Sequence, residues 1–296
     1  MTILHEKLLN LLEDFIEVCE KHSLNWMLDG GSLLGTIREH HLIDWDDDID
    51  ILMPREDFNK IISHPHWFKH KLFTPNNSFI SNAELVDTST AMISKIDVEH
   101  RKNKKFITIP AVKIDINSIE HLPSDKKELQ RLSGFVNTIC RQCTLRLYSH
   151  KESNAYLTKK KSKAFSSLYN MMMTDLDKMN ATSNVVSYIN YWQFKAYDGL
   201  TYSSKMLETE KRNLEGCKYE VNISKEWKKM LVDYYGENYM TPVKNASTHE
   251  YLGSKIIDLK NSYKKYEKFS NDKLLEMIEK GDLLWMKYSV WQIQQN

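Results

Sequence analysis

Residues 44–50 read Asp-Trp-Asp-Asp-Asp-Ile-Asp, five carboxylates within seven positions. Aspartate is a poor strand former, yet the run leads straight into Ile51-Leu52-Met53 and reads as a strand. Side chains on a strand alternate between faces, so Asp46, Asp48 and Asp50 share one face while Asp47, Ile49 and Ile51 take the other. Paired hard oxygen donors at the spacing of Asp48 and Asp50 suit Mg²⁺ or Mn²⁺. Two like charges about 4 Å apart cost about 1 kcal/mol in water and several-fold more at a partly buried site. A divalent cation reverses that sign. Acidic clusters more often belong to solvated loops; the isoleucines at alternate positions argue for a built site instead.

Upstream, Gly30-Gly31-Ser32 joins a short apolar strand, "NWML", to "SLLGTIREH", a short helix with Ser32 as its expected N-cap. Glycines let backbone approach a ligand closely, and the free N–H groups at a helix start favour phosphate. Arg38, on the same element, can add charge to a phosphate oxygen. A phosphate-binding turn followed at short range by a metal-type aspartate pair is what nucleotide-phosphate chemistry requires. Such centres call for a third carboxylate on a neighbouring strand. Asp115 in "AVKIDIN" is one candidate and Asp97 in "SKIDV" the other.

The elements that must position these residues follow from periodicity. Leu8, Leu12, Phe15 and Cys19, with Leu11 and Ile16, make residues 3–22 an amphipathic helix. "REDFNKIISH" is a helix opened after Pro54; "TAMISKIDV", "KFITIP" and "AVKIDINSI" are expected strands. From about 124 to 180 the spacing is helical. "SKEWKKMLVDYYGENYM" is a helix stopping near Gly236, and "NDKLLEMIEKGDLLWMKYSVW" is a closing helix. The expected organisation is α+β: a catalytic core over 1–123, then a mainly helical region over 124–296, with one continuous domain as the alternative.

Composition narrows the function. The 296 residues carry 41 Lys plus Arg against 40 Asp plus Glu, a net charge of +1 that provides no nucleic-acid signal. No run approaches the roughly 18 apolar residues of a membrane span, and the amphipathic start lacks a signal-peptide core. The four cysteines are irregularly spaced, and Cys140 and Cys143 read as ordinary residues on one helix face. The expectation is a soluble cytoplasmic protein, with the "TKKKSK" run at 158–163 compatible with peripheral contact at the inner face of a membrane.

The motifs resemble the LicD family, which includes phosphocholine transferases and fukutin-type ribitol-phosphate transferases within the nucleotidyltransferase-fold superfamily. Its Gly-Ser/Thr-Leu-Leu-Gly-x-x-Arg segment is matched by Gly31-Ser32-Leu33-Leu34-Gly35-Thr36-Ile37-Arg38, and its acidic run by Ile43-Asp44-Trp45-Asp46-Asp47-Asp48-Ile49-Asp50. "SKIDVEHRKNKKF" is similar to the family's Lys-containing strand, which makes Lys95 a candidate phosphate contact. "VKIDINSIEHLP" carries the third aspartate onto Asp115. Leu214-Glu215-Gly216, Tyr235-Gly236, Pro242 and His249 follow the family's closing pattern in order. Asp44 replaces a proline, "INSIEHLP" lacks the family's Phe-Pro, and Glu120 stands where it has a second aspartate.

The resemblance implies a nucleotidyltransferase-like mixed sheet core with helical additions. It implies metal-dependent transfer of a phosphoryl-linked headgroup, first of all phosphocholine from CDP-choline, to a sugar hydroxyl of a surface glycan such as lipopolysaccharide or teichoic acid. The expected catalytic and metal residues are Asp48, Asp50 and Asp115, with Mg²⁺ or Mn²⁺ as cofactor. The expected substrate contacts are Gly31, Ser32, Arg38, Lys95 and His249. Two alternatives stay open: a nucleotidyltransferase placing NMP on a small molecule or protein, and a non-catalytic nucleotide-binding protein. A choline headgroup would need aromatic side chains around its quaternary ammonium, and "YWQF" at 191–194 is one place to find them.

Overall fold

The computed structural model of the chain describes residues 2–74, 81–106, 108–132, 159–187, 202–242 and 255–280. His249, Cys140, Cys143, the aromatic run 191–194 and the end of the expected closing helix lie outside the described residues.

The first helix, α1 (Ile3–His22), begins where Thr2 accepts a hydrogen bond from the His5 N–H at 3.2 Å and ends where Ser23 turns left-handed. Its buried stripe of Leu8, Leu11, Leu12, Phe15, Ile16 and Cys19 covers the sheet. Trp26 meets Phe15 edge-on at 5.4 Å. Burying one such side chain contributes roughly 1.5–3 kcal/mol, so this stripe anchors the whole N-terminal half. After it come β1 (Met27–Leu28), α2 (Gly30–Arg38), β2 (Asp50–Pro54), α3 (Arg55–Ser63), β3 (Lys71–Phe73), β4 (Asn82–Val86) and β5 (Ala91–Ser94). A short α4 (Lys95–Glu99) precedes the long β6 (Lys113–His121).

The helical middle includes residues 126–132 and α5 (Lys159–Met179). Then follow β7 (Val185–Ser187), β8 (Tyr202–Ser203), β9 (Thr209–Arg212), β10 (Val221–Ser224), α6 (Trp227–Tyr235) and β11 (Lys255–Asp258). Residues 271–280 are helical. Among the described residues, no helix is long and apolar enough to cross a membrane.

The main sheet is mixed, in the order β1-β2-β6-β4-β3, with β7 and β8 extending from β6. β2 and β6 run parallel with Asp50 opposite Asp115, and β4 runs antiparallel to β6 with Glu84 opposite the same Asp115. One apolar cluster runs from Leu4 through Ile49, Ile51, Ile114 and Ile116 to Val221, Ile223, Met230 and Leu231, so the β9–β10 hairpin and α6 share the core of the N-terminal elements. The α+β class is as the motifs imply.

Two expected strands differ. The strand expected from Asp44 begins only at Asp50; Asp44 and Trp45 lie in a turn that the Asp46 N–H closes onto the Ile43 carbonyl at 2.8 Å. Crowded carboxylates favour that turn over a paired ladder. "TAMISKIDV" stops as a strand at Ser94, because Ser94 and Asp97 form a capping box that starts α4. No strand forms in "KFITIP" among its described residues.

At the far end of β2 and β6 the guanidinium of Arg55 pairs with Glu120, both side chains fully buried, and donates to Ser118 Oγ at 2.7 Å. It also donates to Asn170 Oδ1 at 3.1 Å, which joins α3 to α5. The residue that departs from the family pattern at position 120 is thus half of an internal ion pair.

Candidate active site

The near end of the same two strands carries the chemistry. Ile49 and Ile51 are fully buried, which turns the intervening Asp50 the other way, toward the start of α2. Asp46 also reaches α2, and Asp47 pairs with the ammonium of Lys255 on β11. Gly30 and Gly31 make this approach possible. A Cβ on Gly30 would stand 2.9 Å from Asp50 Oδ2, and one on Gly31 would stand 2.5 Å from Asp46 Oδ2. Gly30 also adopts φ +53°, open to glycine at little cost.

Ser32 is not the N-cap. The helix starts three residues earlier with Asp29 in that position, and the Ser32 hydroxyl instead accepts the Asp50 N–H at 3.1 Å, fixing β2 to α2. The Asp29 N–H donates to the Asp50 carbonyl at 3.0 Å, and the Asp115 N–H to the Ile49 carbonyl at 2.8 Å. The acidic segment is therefore held by backbone from both sides.

Carboxylate oxygens of Asp46, Asp47 and Asp48 come within 4.8 Å of one another, and Asp50 and Asp115 stand beside them in parallel register. Their charge is visible in their acidity. Burial first, then Asp48, Asp115, Asp29 and Asp46, hold Asp50 well above the usual carboxylate range. Burial, then Asp48 and Asp47, push Asp46 up to about 8. Burial raises Asp29 to about 6, opposed by hydrogen bonds from the Gly30 N–H and the Tyr234 hydroxyl. A set of oxygen-only donors that repel one another and hold protons is the donor set a hard divalent cation replaces protons on. The residues fit Mg²⁺ or Mn²⁺.

The structure brings Asp48, Asp50 and Asp115 together with Gly31 and Ser32. Asp97 is used elsewhere: its Oδ2 accepts from the Ser94 N–H and hydroxyl and its Oδ1 from Thr108. Arg38 ends α2, seven and eight residues and roughly 10–12 Å of helix from the glycines. There its guanidinium holds Glu39 at 2.7 Å and the Tyr239 carbonyl at 3.2 Å. Lys95 is exposed at the start of α4, one residue past Ser94, which pairs with Lys255 across β5 and β11.

The site also contains residues that the motifs do not single out. Lys113, two positions before Asp115 on the same face of β6, pairs with Glu84 and lies 3.6 Å from Asp115 Oδ1. Asp115 and Glu84 keep that ammonium charged despite burial, which acts against the charge. Strand alternation in "KID" was the signal for it. Asp29 and Tyr234 form a second pair, the phenol donating to Asp29 Oδ1 at 3.0 Å. Sequence spacing provides no signal for that contact, which joins residues 205 positions apart.

Fold and site together define an α+β protein with a buried acidic centre seated on the glycine-opened end of a helix. Residues 23–127 match the family model described as LicD/FKTN/FKRP, nucleotidyltransferase domain. The chain is also similar to the lipopolysaccharide cholinephosphotransferase LicD of Haemophilus influenzae, 25% identical over 254 residues that cover 79% of this chain and 89% of that protein. The two matches together support a LicD-family protein.

Proposed function

We propose that this chain transfers phosphocholine from CDP-choline to a sugar hydroxyl of a surface glycan such as lipopolysaccharide or teichoic acid, in a metal-dependent reaction. The observation that carries the reading is the convergence of Asp46, Asp48, Asp50 and Asp115 on the N-terminal end of α2. The name of the Haemophilus influenzae relative supports the headgroup and the glycan.

In this reading the donor's pyrophosphate lies at Gly31 and Ser32. Asp48 and Asp50 would hold Mg²⁺ or Mn²⁺, with Asp115 and Asp46 beside them, and such an ion would supply neutralisation of phosphate charge. The acceptor oxygen forms its bond to the phosphorus that bears choline. The bond from that phosphorus to the bridging oxygen breaks, and CMP leaves with the electron pair. Asp115 serves in one of two roles, taking the hydroxyl proton or completing the oxygen shell. Lys113 fixes it in either. Lys95 is retained as a basic residue for the donor phosphates, and His249 as a substrate contact.

CMP release tests this: CDP-choline, CDP-ethanolamine and CDP-ribitol are each incubated with Mg²⁺, Mn²⁺ or EDTA and a surface-glycan extract. CMP release from CDP-choline that EDTA abolishes is expected. Silence from every donor while nucleotide still binds would remove the reading in favour of a binding role.

A further inference from the structure

A donor that carries choline presents a quaternary ammonium, which no hydrogen bond can hold. It is recognised by aromatic faces in a negative field. Helix α6 supplies a ring in that setting. It packs on α2, and Tyr234 fixes its last turn by donating to the buried Asp29. The next residue, Tyr235, is turned about 100° around the helix and is not part of the core: 44% of it is exposed. Its ring meets Tyr234 only edge-on, with centroids 6.0 Å apart and planes at 80°. Gly236 then ends the helix at φ +79° with open space around it.

The Tyr235 phenol is near enough to Asp29, Asp46, Asp50 and Asp48 to sense all four charges. Burial of the hydroxyl, followed by those carboxylates, pushes its pKa well above the ordinary tyrosine value. A neutral pyrimidine could stack on the same ring but would draw nothing from a field of four carboxylates. A cationic headgroup draws on both.

Resting on the phosphocholine reading above, we propose that Tyr235 is the residue that selects the headgroup, its ring receiving the quaternary ammonium at the edge of the acidic centre. The role requires the ring and not the hydroxyl.

The test compares wild type, Tyr235→Phe and Tyr235→Leu for KM with CDP-choline and CDP-ethanolamine, and for inhibition by CMP. Phenylalanine should keep KM for CDP-choline within about twofold. Leucine should raise it about 5- to 30-fold, the range expected for losing a partly desolvated cation–π contact. It should also lower the preference for choline over ethanolamine and leave CMP inhibition unchanged, which shows that the leucine variant is folded with its nucleotide site intact. A leucine variant with unchanged KM and preference overturns the inference, as does one in which CMP inhibition weakens as much as CDP-choline binding. Wild-type protein that releases no CMP from CDP-choline overturns the phosphocholine reading itself. The two failures are thus told apart by the wild type alone.

Discussion

Replacing Asp50 with asparagine should move stability in opposite directions depending on whether a divalent cation is present. In the metal-free protein Asp50 is disfavoured as an anion by burial and by Asp48, Asp115, Asp29 and Asp46. Each unit by which a carboxyl is raised above its ordinary value corresponds to about 1.4 kcal/mol against the ionised form. One like charge nearby at an effective dielectric constant of 20 accounts for up to about 4 kcal/mol. Asparagine is close in shape to the protonated acid and removes that repulsion. A gain of about 1–2 kcal/mol in EDTA at pH 8 is reasonable after partial protonation, and it corresponds to roughly 2–8 °C in Tm for a chain of this size. Wild type should gain about 2.7 kcal/mol when Mg²⁺ is at 100 times its Kd, and the variant should lose most of that gain. The assay is thermal unfolding of both proteins in EDTA and in Mg²⁺. A variant less stable than wild type in EDTA, or one with the full Mg²⁺ shift, would refute the assignment of Asp50 to a cation-binding cluster.

Other consequences follow from the same geometry. Asp48→Asn should lower turnover by orders of magnitude and, because Asp48 is the leading like charge on Asp46 and Asp50, should raise Tm in EDTA rather than lower it; near-normal turnover would remove Asp48 from the site. Lys113→Met leaves Glu84 and Asp115 opposite one another without their shared cation, so kcat should fall at least tenfold and Lys113→Arg should restore part of it; equal loss in both variants would deny the charge a role. Arg55→Met leaves Glu120 buried without its partner, a cost of about 3–5 kcal/mol, and should lower Tm by roughly 6–20 °C while the surviving folded protein binds nucleotide normally.

The raised pKa values have a pH consequence. Asp46 keeps its proton up to about pH 8 in the fold but releases it near pH 4 when unfolded. The native state thus binds more protons across that window, and metal-free stability should fall as pH rises through it. Tm in EDTA should decline from pH 5 to pH 8, and Mg²⁺ should flatten the decline; a Tm that climbs over that range contradicts the argument.

The sequence was most informative where periodicity and burial act together. The stripe from Leu8 to Cys19 placed α1 because apolar residues at helical spacing have only one face to bury. The Ile49–Ile51 alternation placed Asp50, and Ile114–Ile116 placed Asp115, so two residues far apart in the chain could be expected on neighbouring strands before any pairing was known. It was least informative where polar side chains choose between partners. Five crowded aspartates looked like the continuation of a strand, but a turn at Ile43–Asp46 interrupts it, and the ladder starts only at Asp50. Ser94 and Asp97 look like strand residues until the capping box between them is seen. Arg38 sits on the right helix, but helix length carries it to the wrong end for the glycines, and Glu39 takes its charge. Tyr234, Tyr235 and Lys255 reach the acidic centre only through tertiary packing, which spacing along the chain does not encode.

The central claim is that the bond broken in the donor lies on the headgroup side of the pyrophosphate bridge, so that choline leaves with its phosphate. Following two labels decides it. CDP-choline labelled in the choline methyl groups in one reaction, and in the cytidine ring in another, is incubated with Mg²⁺ and glycan acceptor. The account predicts that the choline label enters the glycan and the cytidine label is recovered as free CMP. Cytidine label fixed to the acceptor, with phosphocholine released, would mean nucleotidyl transfer and contradict it.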